Sequence, residues 1–187
     1  NTHIKKNKCL LKINNQTLIE KIIKDFSSVI KLKKITVVVG YNHEKIKSNL
    51  INYNINFIYN KDYKTKEMLY SLYLGLLRSK ENVIVSYSDI YFSKSIIKKL
   101  KKYSSNKIIL PINSNWKSVW RKRGKNFFED CESLKYDKNL LLKEIGNKIK
   151  STSNVMGQYM GIIYFPKKIK KEIIKNCKNK LSNKKIH

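Results

Sequence analysis

One aspartate follows an apolar strand of the sequence, in the polar loop where that strand ends. The run Val83–Val85 leads through Ser86-Tyr87-Ser88 to Asp89. In an open α/β sheet the carboxyl ends of the strands border the ligand crevice, and a carboxylate there can hold a metal ion against nucleotide phosphates. A turn or helix cap is the alternative for Asp89, but Ser93 stands closer to the next helix and can serve as its cap. We therefore expect an enzyme in which Asp89 binds a metal.

Helical and strand patterns alternate along the chain and would position Asp89. Apolar residues recur at helical spacing in residues 18–30, 43–50, 67–78 and 93–102. Short apolar runs typical of buried strands occupy residues 35–39, 55–59, 83–85 and 108–110. Residues 127–136 and 159–165 are typical of added antiparallel strands. The alternation predicts a Rossmann-like α/β fold: a mostly parallel sheet with helices on both faces and a small antiparallel extension.

We expect one domain over residues 1–187, because the length suits one substantial core and no linker-like composition divides the chain. No apolar run approaches the roughly 20 residues of a membrane-spanning helix, and no signal-peptide pattern opens the chain. The sequence therefore predicts a cytoplasmic protein without membrane insertion. Cys9, Cys131 and Cys177 are widely spaced, which predicts buried or idle thiols rather than disulfides or zinc ligands. No sequence feature indicates the oligomeric state.

The positive charge of the chain would normally suggest a nucleic-acid partner. Lysine and arginine number 41 against 13 acidic residues, a formal net charge of +28. However, the chain has three arginines, no alanine, and an excess of Lys, Asn, Ile and Tyr, as AT-rich coding would produce. Lysines such as Lys98 and Lys99 fall on the outer positions of helical patterns, where a solvated face explains them. We expect no nucleic-acid partner. A non-catalytic basic RNA-binding domain stays an alternative, which predicts salt-sensitive retention of RNA.

A series of short motifs resembles one enzyme family over nearly the whole chain. The motifs are Lys8-Cys9-Leu10-Leu11, Leu18-Ile19-Glu20, Val38-Val39-Gly40-Tyr41, Asn60, Met68-Leu69-Tyr70-Ser71-Leu72, Tyr87-Ser88-Asp89-Ile90, Trp120 with Arg123, Asp130-Cys131-Glu132, Ile145-Gly146 and Gly157-Gln158-Tyr159-Met160-Gly161. In their order and spacing the chain resembles the sugar-nucleotide type of nucleotidyltransferase, and within it the cytidylyltransferases of phosphocholine or 2-aminoethylphosphonate. The resemblance implies a GT-A-type fold and transfer of CMP from CTP to a small phosphorylated or phosphonylated amine, with release of pyrophosphate.

The resemblance also implies two segments that this sequence does not contain. The family has a strand and a glycine-rich loop just upstream of the Lys8 motif, and a second acidic metal ligand downstream of where this chain stops. We therefore expect a fragment that lacks both segments, and the sequence leaves open whether it is active alone. Family members often place an asparagine at the position of Glu67, so we transfer no role to Glu67.

In such a reaction an acceptor oxygen attacks the α-phosphorus of CTP, which requires positioning and charge neutralisation more than covalent catalysis. The resemblance implies Mg²⁺ as the cofactor, with Asp89 as its ligand. It also implies that Lys8 contacts the nucleotide phosphates, where its ammonium would offset their negative charge.

The resemblance and the composition together point to substrate-binding residues in the later part of the chain. Both tryptophans lie close to two of the three arginines, in a stretch that contains Trp120 and Arg123. Arg123 could bind a phosphonate in bidentate fashion, and Trp120 could face a substrate ammonium. A surface loop with Trp120 packed on the core is the alternative.

Four more residues belong to this predicted substrate site. Asp130 and Glu132 are two apart, so on a strand their side chains share one face and could bind the substrate ammonium or help to hold the metal. Gln158 and Tyr159 lie between glycines that permit a close approach and could donate hydrogen bonds to the substrate. Ion pairs with lysines and a glycine bulge, respectively, are the structural alternatives. Two further functions stay open: a sugar-1-phosphate nucleotidyltransferase and a catalytically silent regulatory domain.

Overall fold

The computed structural model describes residues 7–103, 105–122, 131–149 and 151–183. The chain divides into two compact units. Unit 1 comprises Asn1–Ile109 and Ile163–His187, and unit 2 comprises Leu110–Ile162. The single domain expected from the sequence stays a prediction.

Helices and strands alternate through much of the described chain. The helices are α1 (Leu18–Ser27), α2 (His43–Asn49), α3 (Met68–Arg78), α4 (Ser95–Lys102), α5 (Trp116–Arg121) and α6 (Lys167–Asn183). The strands are β1 (Lys12–Ile13), β2 (Gln16–Thr17), β3 (Thr36–Val39), β4 (Asn56–Tyr59), β5 (Val83–Ser86), β6 (Ile112–Asn113), β7 (Glu132–Tyr136), β8 (Leu142–Lys148), β9 (Gln158–Tyr159) and β10 (Ile162–Phe165). Lys8–Leu10, Leu32–Lys34 and Thr152–Asn154 form short 3₁₀ turns.

The start of helix α1 is set by a tight hairpin and a capping box. Strands β1 and β2 pair in antiparallel fashion across Asn14 and Asn15, whose φ angles of 49° and 61° suit a primed two-residue turn. The Thr17 hydroxyl then accepts a hydrogen bond from the Glu20 backbone N–H, while the Glu20 carboxylate accepts one from the Thr17 N–H. These contacts begin α1 at Leu18, as the apolar spacing predicts.

One face of α1 belongs to the core of unit 1. Its buried residues recur every three to four positions: Leu18, Ile19, Ile22, Ile23 and Phe26. The ring of Phe26 meets that of Phe92 edge to face, with 6.4 Å between the centroids. Because Phe92 lies three residues after Asp89, this contact helps to fix the chain that follows β5.

Strands β3 and β4 pair in parallel, with Val39 opposite Tyr59. The parallel pairing expected from their apolar runs is therefore present. Strand β5 pairs with β10. The strand predicted for residues 108–110 is reduced to an antiparallel bridge between Ile109 and Tyr164, because Pro111 has no N–H with which to continue a ladder.

Unit 2 contains the predicted antiparallel extension. Strand β7 pairs with β8, and β6 pairs with β9, both in antiparallel fashion. The unit's apolar core includes the buried residues Trp116, Cys131 and Val155. The Gln158 side chain is also buried, and its Nε2 donates to the carbonyl oxygen of Glu132 at 3.0 Å.

Cys9, Cys131 and Cys177 are free and buried, which confirms the predicted buried thiols. Within the described ranges, no helix has both the length and the apolar character that a membrane crossing requires.

Two glycines provide a matched test of packing in unit 1. A Cβ added at Gly40 would lie 2.6 Å from the Cβ of Tyr63, the rigid stem of that side chain, whereas one added at Gly75 meets only Val38 Cγ2 at 3.6 Å. We expect Gly40→Ala to lower the free energy of unfolding by about 1–3 kcal/mol through overpacking. Gly75→Ala should raise it by about 0.5–1 kcal/mol, because alanine suits a helix interior better. Urea denaturation of both variants measures the difference, and equal effects would contradict this account of Gly40.

The buried amide of Gln158 offers a second test, in unit 2. Gln158→Met preserves most of the side-chain volume but leaves the Glu132 carbonyl oxygen without its donor. We expect a loss of about 1–3 kcal/mol in the free energy of unfolding. Gln16→Met is the control, because the buried Nε2 of Gln16 has no hydrogen-bond partner among the described residues that the substitution could remove. Thermal and urea unfolding measure the stability of both variants. Equal stability of the two would count against the structural role of Gln158.

Candidate active site

The loop after β5 brings Asp89 to the surface. Strand β5 is half-buried along its four residues, and Ser88 and Asp89, which follow it, are exposed. An exposed carboxylate at the carboxyl end of a strand is available to a ligand from solution. The helix predicted after this loop is α4. Helix α4 begins at Ser95 with Lys94 at its N-cap position, and no side chain forms a cap hydrogen bond there. The Ser93 cap expected from the sequence is therefore wrong, although the Ser93 hydroxyl accepts a hydrogen bond from the Ser95 N–H at 3.3 Å. Asp89 is not the cap either, because it precedes the N-cap position by five residues.

A second segment of unit 1 lies against this loop. Lys8 and Cys9 belong to the 3₁₀ turn Lys8–Leu10, in which Lys8 is exposed and Cys9 is only 8% exposed. The Cys9 thiol lies near the Ser88 side chain and is close enough to Asp89 for the carboxylate charge to raise the pKa of the thiol. The Lys8 turn and the Asp89 loop, 81 residues apart in the chain, are thus neighbours in the fold.

The environment of Cys9 keeps its thiol neutral. Burial raises the pKa of the Cys9 thiol, and the nearby negative charge of Asp89 raises it further, while hydrogen bonds, including that from Ser88, oppose these effects. A neutral thiol adds no charge next to the carboxylate.

The carboxylate of Asp89 suits a metal ion that binds together with a substrate. None of the ion pairs found in the described part of the chain involves Asp89. Among those residues no group of three or more His, Cys, Asp or Glu side chains could enclose a metal. Mg²⁺ often binds through one or two carboxylates and completes its shell with water and substrate phosphates. A single exposed carboxylate fits that kind of site.

Residues at the ends of β4 and β3 have structural roles. The buried Asn60 donates from its backbone N–H to the Val39 carbonyl at 2.8 Å and from Nδ2 to the Ser71 hydroxyl at 3.0 Å. Its Oδ1 accepts from the Asp62 N–H. Asn60 thereby ties the end of the parallel pair to helix α3. The Ser71 hydroxyl thus has a structural partner in Asn60.

In unit 2, Trp120 packs against the core. Its half-buried side chain on α5 contacts the cluster of Trp116, Cys131 and Val155. This is the packing that the sequence left open as the alternative to a substrate contact. The substrate-binding role of Trp120 stays a prediction.

The other predicted substrate residues of unit 2 differ in exposure. Glu132 is exposed at the start of β7, so its carboxylate is accessible. Gln158 is buried, and its amide nitrogen is engaged by the Glu132 backbone, while Tyr159 is half-buried in β9 opposite Ile112. Arg123 and Asp130 lie outside the described residues. The roles of all five in substrate binding stay predictions.

Sequence reasoning did not single out Cys9 or Ser88. Cys9 was part of a recognised motif but was interpreted only as a buried thiol, and Ser88 only as a loop residue. One sequence signal points to Cys9: it is adjacent to Lys8, the one lysine with a predicted role. Its partner, however, is distant in the chain and was not predictable from local pattern.

Known proteins of similar sequence and structure are nucleotidyltransferases. The chain is 27% identical over 174 residues to a CTP:phosphoglutamine cytidylyltransferase from Campylobacter jejuni, a match that covers 89% of this chain and 68% of that protein. Two solved structures share its fold at 16% identity. The inositol-1-phosphate CTP transferase from T. maritima has a TM-score of 0.65, with 91% of this chain and 66% of that chain covered. The CTP:phosphocholine cytidylyltransferase from Streptococcus pneumoniae has a TM-score of 0.58, with 94% and 68% covered.

The chain thus spans about two thirds of the length of these relatives. The structural matches confirm the predicted α/β nucleotidyltransferase fold. The family model of the MobA-like NTP transferase domain matches residues 2–148, which is most of the chain. This protein therefore belongs to the family of MobA-like NTP transferase domains and is a nucleotidyltransferase, the enzyme class expected from its motifs.

Proposed function

We propose that this chain carries the site for transfer of CMP from CTP to a small phosphorylated or phosphonylated amine, with release of pyrophosphate. The observation that carries the proposal is the proximity of the Lys8 turn to the Asp89 loop, shown by Cys9, which lies near Ser88 and Asp89. It brings an exposed cation and an exposed carboxylate to neighbouring segments of unit 1. Phosphoryl chemistry needs charges of both signs near the triphosphate, one for the phosphates and one for their metal ion.

The two side chains have separate tasks in this proposal. Lys8 binds the triphosphate and offsets the negative charge that grows on the leaving pyrophosphate. Asp89 would hold Mg²⁺, which supplies charge neutralisation and alignment of the phosphates when bound. Cys9 positions the Lys8 turn against the loop and contributes no charge of its own.

The reaction is a displacement at the α-phosphorus of CTP. An oxygen of the acceptor phosphate or phosphonate forms the new bond to that phosphorus, and the bond to the oxygen shared with the β-phosphate breaks. That oxygen leaves as part of pyrophosphate with the bonding electron pair. The acceptor oxygen is already ionised near neutral pH, so no general base is required. This agrees with the absence of a histidine from the Lys8 turn and the Asp89 loop.

The relatives support both the nucleotide and the kind of acceptor. Each of the three is named for CTP and for a small phosphorylated compound: phosphoglutamine, inositol 1-phosphate or phosphocholine. We assign acceptor binding to Trp120, Arg123, Asp130, Glu132 and Tyr159, with Gln158 as their support. The preference for an amine such as phosphocholine or 2-aminoethylphosphonate follows from the motif resemblance.

Replacing Asp89 tests the metal site. We expect Asp89→Asn to lower kcat for pyrophosphate release from Mg·CTP by about 10²–10³-fold, because a preorganised charge that supports the transition state is lost. The fold should be unchanged, since this side chain is exposed. The matched control is Asp62→Asn, which alters a half-buried carboxylate whose ion pair among the described residues is with Lys66 and should retain wild-type turnover.

Binding of Mg·CTP, measured by calorimetry on the same proteins, separates loss of the metal site from loss of turnover. Weaker binding in Asp89→Asn alone supports the proposal. Full turnover and unchanged binding in that variant would remove Asp89 from the site.

A panel of substrates tests the nucleotide and the acceptor. Pyrophosphate release with CTP, UTP, ATP and dTTP should be fastest with CTP. With CTP fixed, phosphocholine and 2-aminoethylphosphonate should give higher kcat/KM than glucose 1-phosphate, because the latter has no amine to interact with the predicted acidic and aromatic side chains. A preference for dTTP or UTP with glucose 1-phosphate would instead establish a sugar-1-phosphate nucleotidyltransferase.

A further inference from the structure

Unit 1 contains a cleft at the opposite end of β5 from the Asp89 loop. It has a volume of about 830 Å³, and we call it the α6 cleft. Its lining comes from the end of α3, the segment before β5, the chain after α4, the end of β10 and the first turns of α6. It includes five lysines: Lys80, Lys167, Lys168, Lys170 and Lys171. Clefts of this size hold small organic ligands.

Hydrogen bonds hold the first turn of α6 in place at the cleft. Lys170 is only 6% exposed, and its ammonium donates to the carbonyl oxygens of Ser79 and of Glu81, the latter at 2.9 Å. The Lys167 backbone N–H donates to Asn82 Oδ1 at 2.8 Å. These bonds join α6 to the segment before β5. The lysines of the first helical turn therefore project from an anchored backbone.

The charge of the α6 cleft has one sign. Five lysines line it, and no Asp or Glu occurs among its described lining residues. The nearest acids in the chain, Glu81 and Glu172, are both exposed and are not part of the lining. A cleft with charges of one sign and low-dielectric walls concentrates the electrostatic field and attracts counter-ions.

Apolar side chains form another part of the lining. Leu77 is exposed and Ile174 is half-buried, whereas Leu76 and Tyr164 are buried and present little surface to a ligand. A ligand here would meet hydrocarbon from Leu77 and Ile174 as well as ammonium groups. That combination differs from a flat, solvated lysine face, which offers charge alone.

The α6 cleft and the candidate active site are separate. Asn82, in the cleft, immediately precedes β5, whereas Asp89 follows it. A strand of four residues is about 13 Å long at roughly 3.3 Å per residue. A small ligand in one place therefore does not reach the other.

We propose that the α6 cleft is a second anion site, which binds a small molecule with several phosphate groups. Lysine ammoniums bind phosphate as compact point charges, and several phosphates in one ligand would engage several of them at once. The apolar wall leaves room for an organic part of the ligand. This site does not depend on the function proposed for Lys8 and Asp89.

Inorganic tripolyphosphate is the probe that tests the charge requirement. Calorimetric titration of the 187-residue chain at constant ionic strength is compared with that of a variant carrying Lys167→Gln, Lys168→Gln and Lys171→Gln. Lys170 is left unchanged because its ammonium has a structural role. We expect binding to the variant to be at least about tenfold weaker, because three favourable charge contacts are lost.

The matched control carries Lys31→Gln, Lys33→Gln and Lys34→Gln, three exposed lysines outside the cleft lining. It removes the same net charge and should change the affinity by less than about twofold. Equal weakening in both triple variants would show that the probe responds only to overall charge and would overturn the proposal. The proposal would also be overturned if Lys8→Gln lost binding while the cleft variant bound as tightly as the unchanged chain, because the probe would then bind in the candidate active site.

A second arm separates a small ligand from a lipid surface. Co-sedimentation with vesicles of phosphatidylcholine containing phosphatidylglycerol is measured for the same three proteins. Binding of tripolyphosphate without retention on vesicles supports the proposal. Cleft-dependent retention on vesicles without binding of tripolyphosphate would overturn it in favour of a membrane-docking surface. Circular dichroism spectra of all variants verify that each is folded.

Discussion

The chemistry proposed for this chain depends on the contact between Cys9 and the loop that follows β5. Asp89 is exposed at that loop and Lys8 is exposed on the adjoining turn, and neither is held by an ion pair of the described residues. The two segments meet where the buried Cys9 thiol lies near Ser88 and Asp89. A thiol suits this position because burial and the Asp89 charge keep it neutral. Burial of an ionised side chain in its place would cost free energy of desolvation and would change the net charge near a bound metal.

The lysines that give the chain its high positive charge occupy two different structural environments. Many lysines, such as Lys98 and Lys99 on α4, are exposed and solvated, so they contribute little to stability. At the α6 cleft, by contrast, Lys170 is buried and bonded to backbone carbonyls, and its neighbours line a concave surface. Burial lowers the pKa of the Lys170 ammonium, which reflects the low-dielectric surroundings. Composition alone cannot distinguish these two forms, because both contain lysine at helical spacing.

The surroundings of some predicted site residues follow from the local sequence, whereas those of others depend on distant segments. Asp89 follows a half-buried, mostly apolar strand, and strand direction alone brings its carboxylate to the sheet edge. Gln158 and Trp120 depend on partners far away in the sequence: the former donates to the Glu132 carbonyl, and the latter packs beside Trp116 and Cys131. A period-two or helical pattern indicates which face a side chain occupies but not what it meets there. Packing roles at these two positions therefore emerged only from the fold.

The sequence by itself determined most of the local structure. The capping box at Thr17 and Glu20 begins α1, and the apolar runs of β3, β4 and β5 have the expected positions, because these signals involve neighbours in the chain. Tertiary structure alone decided that Cys9 meets Ser88 and that lysines from α6 share a cleft with Lys80. It also reduced the expected strand at residues 108–110 to one bridge at Ile109. Such outcomes depend on which distant segments pack together, and the energy of that packing is not encoded in any short stretch of sequence.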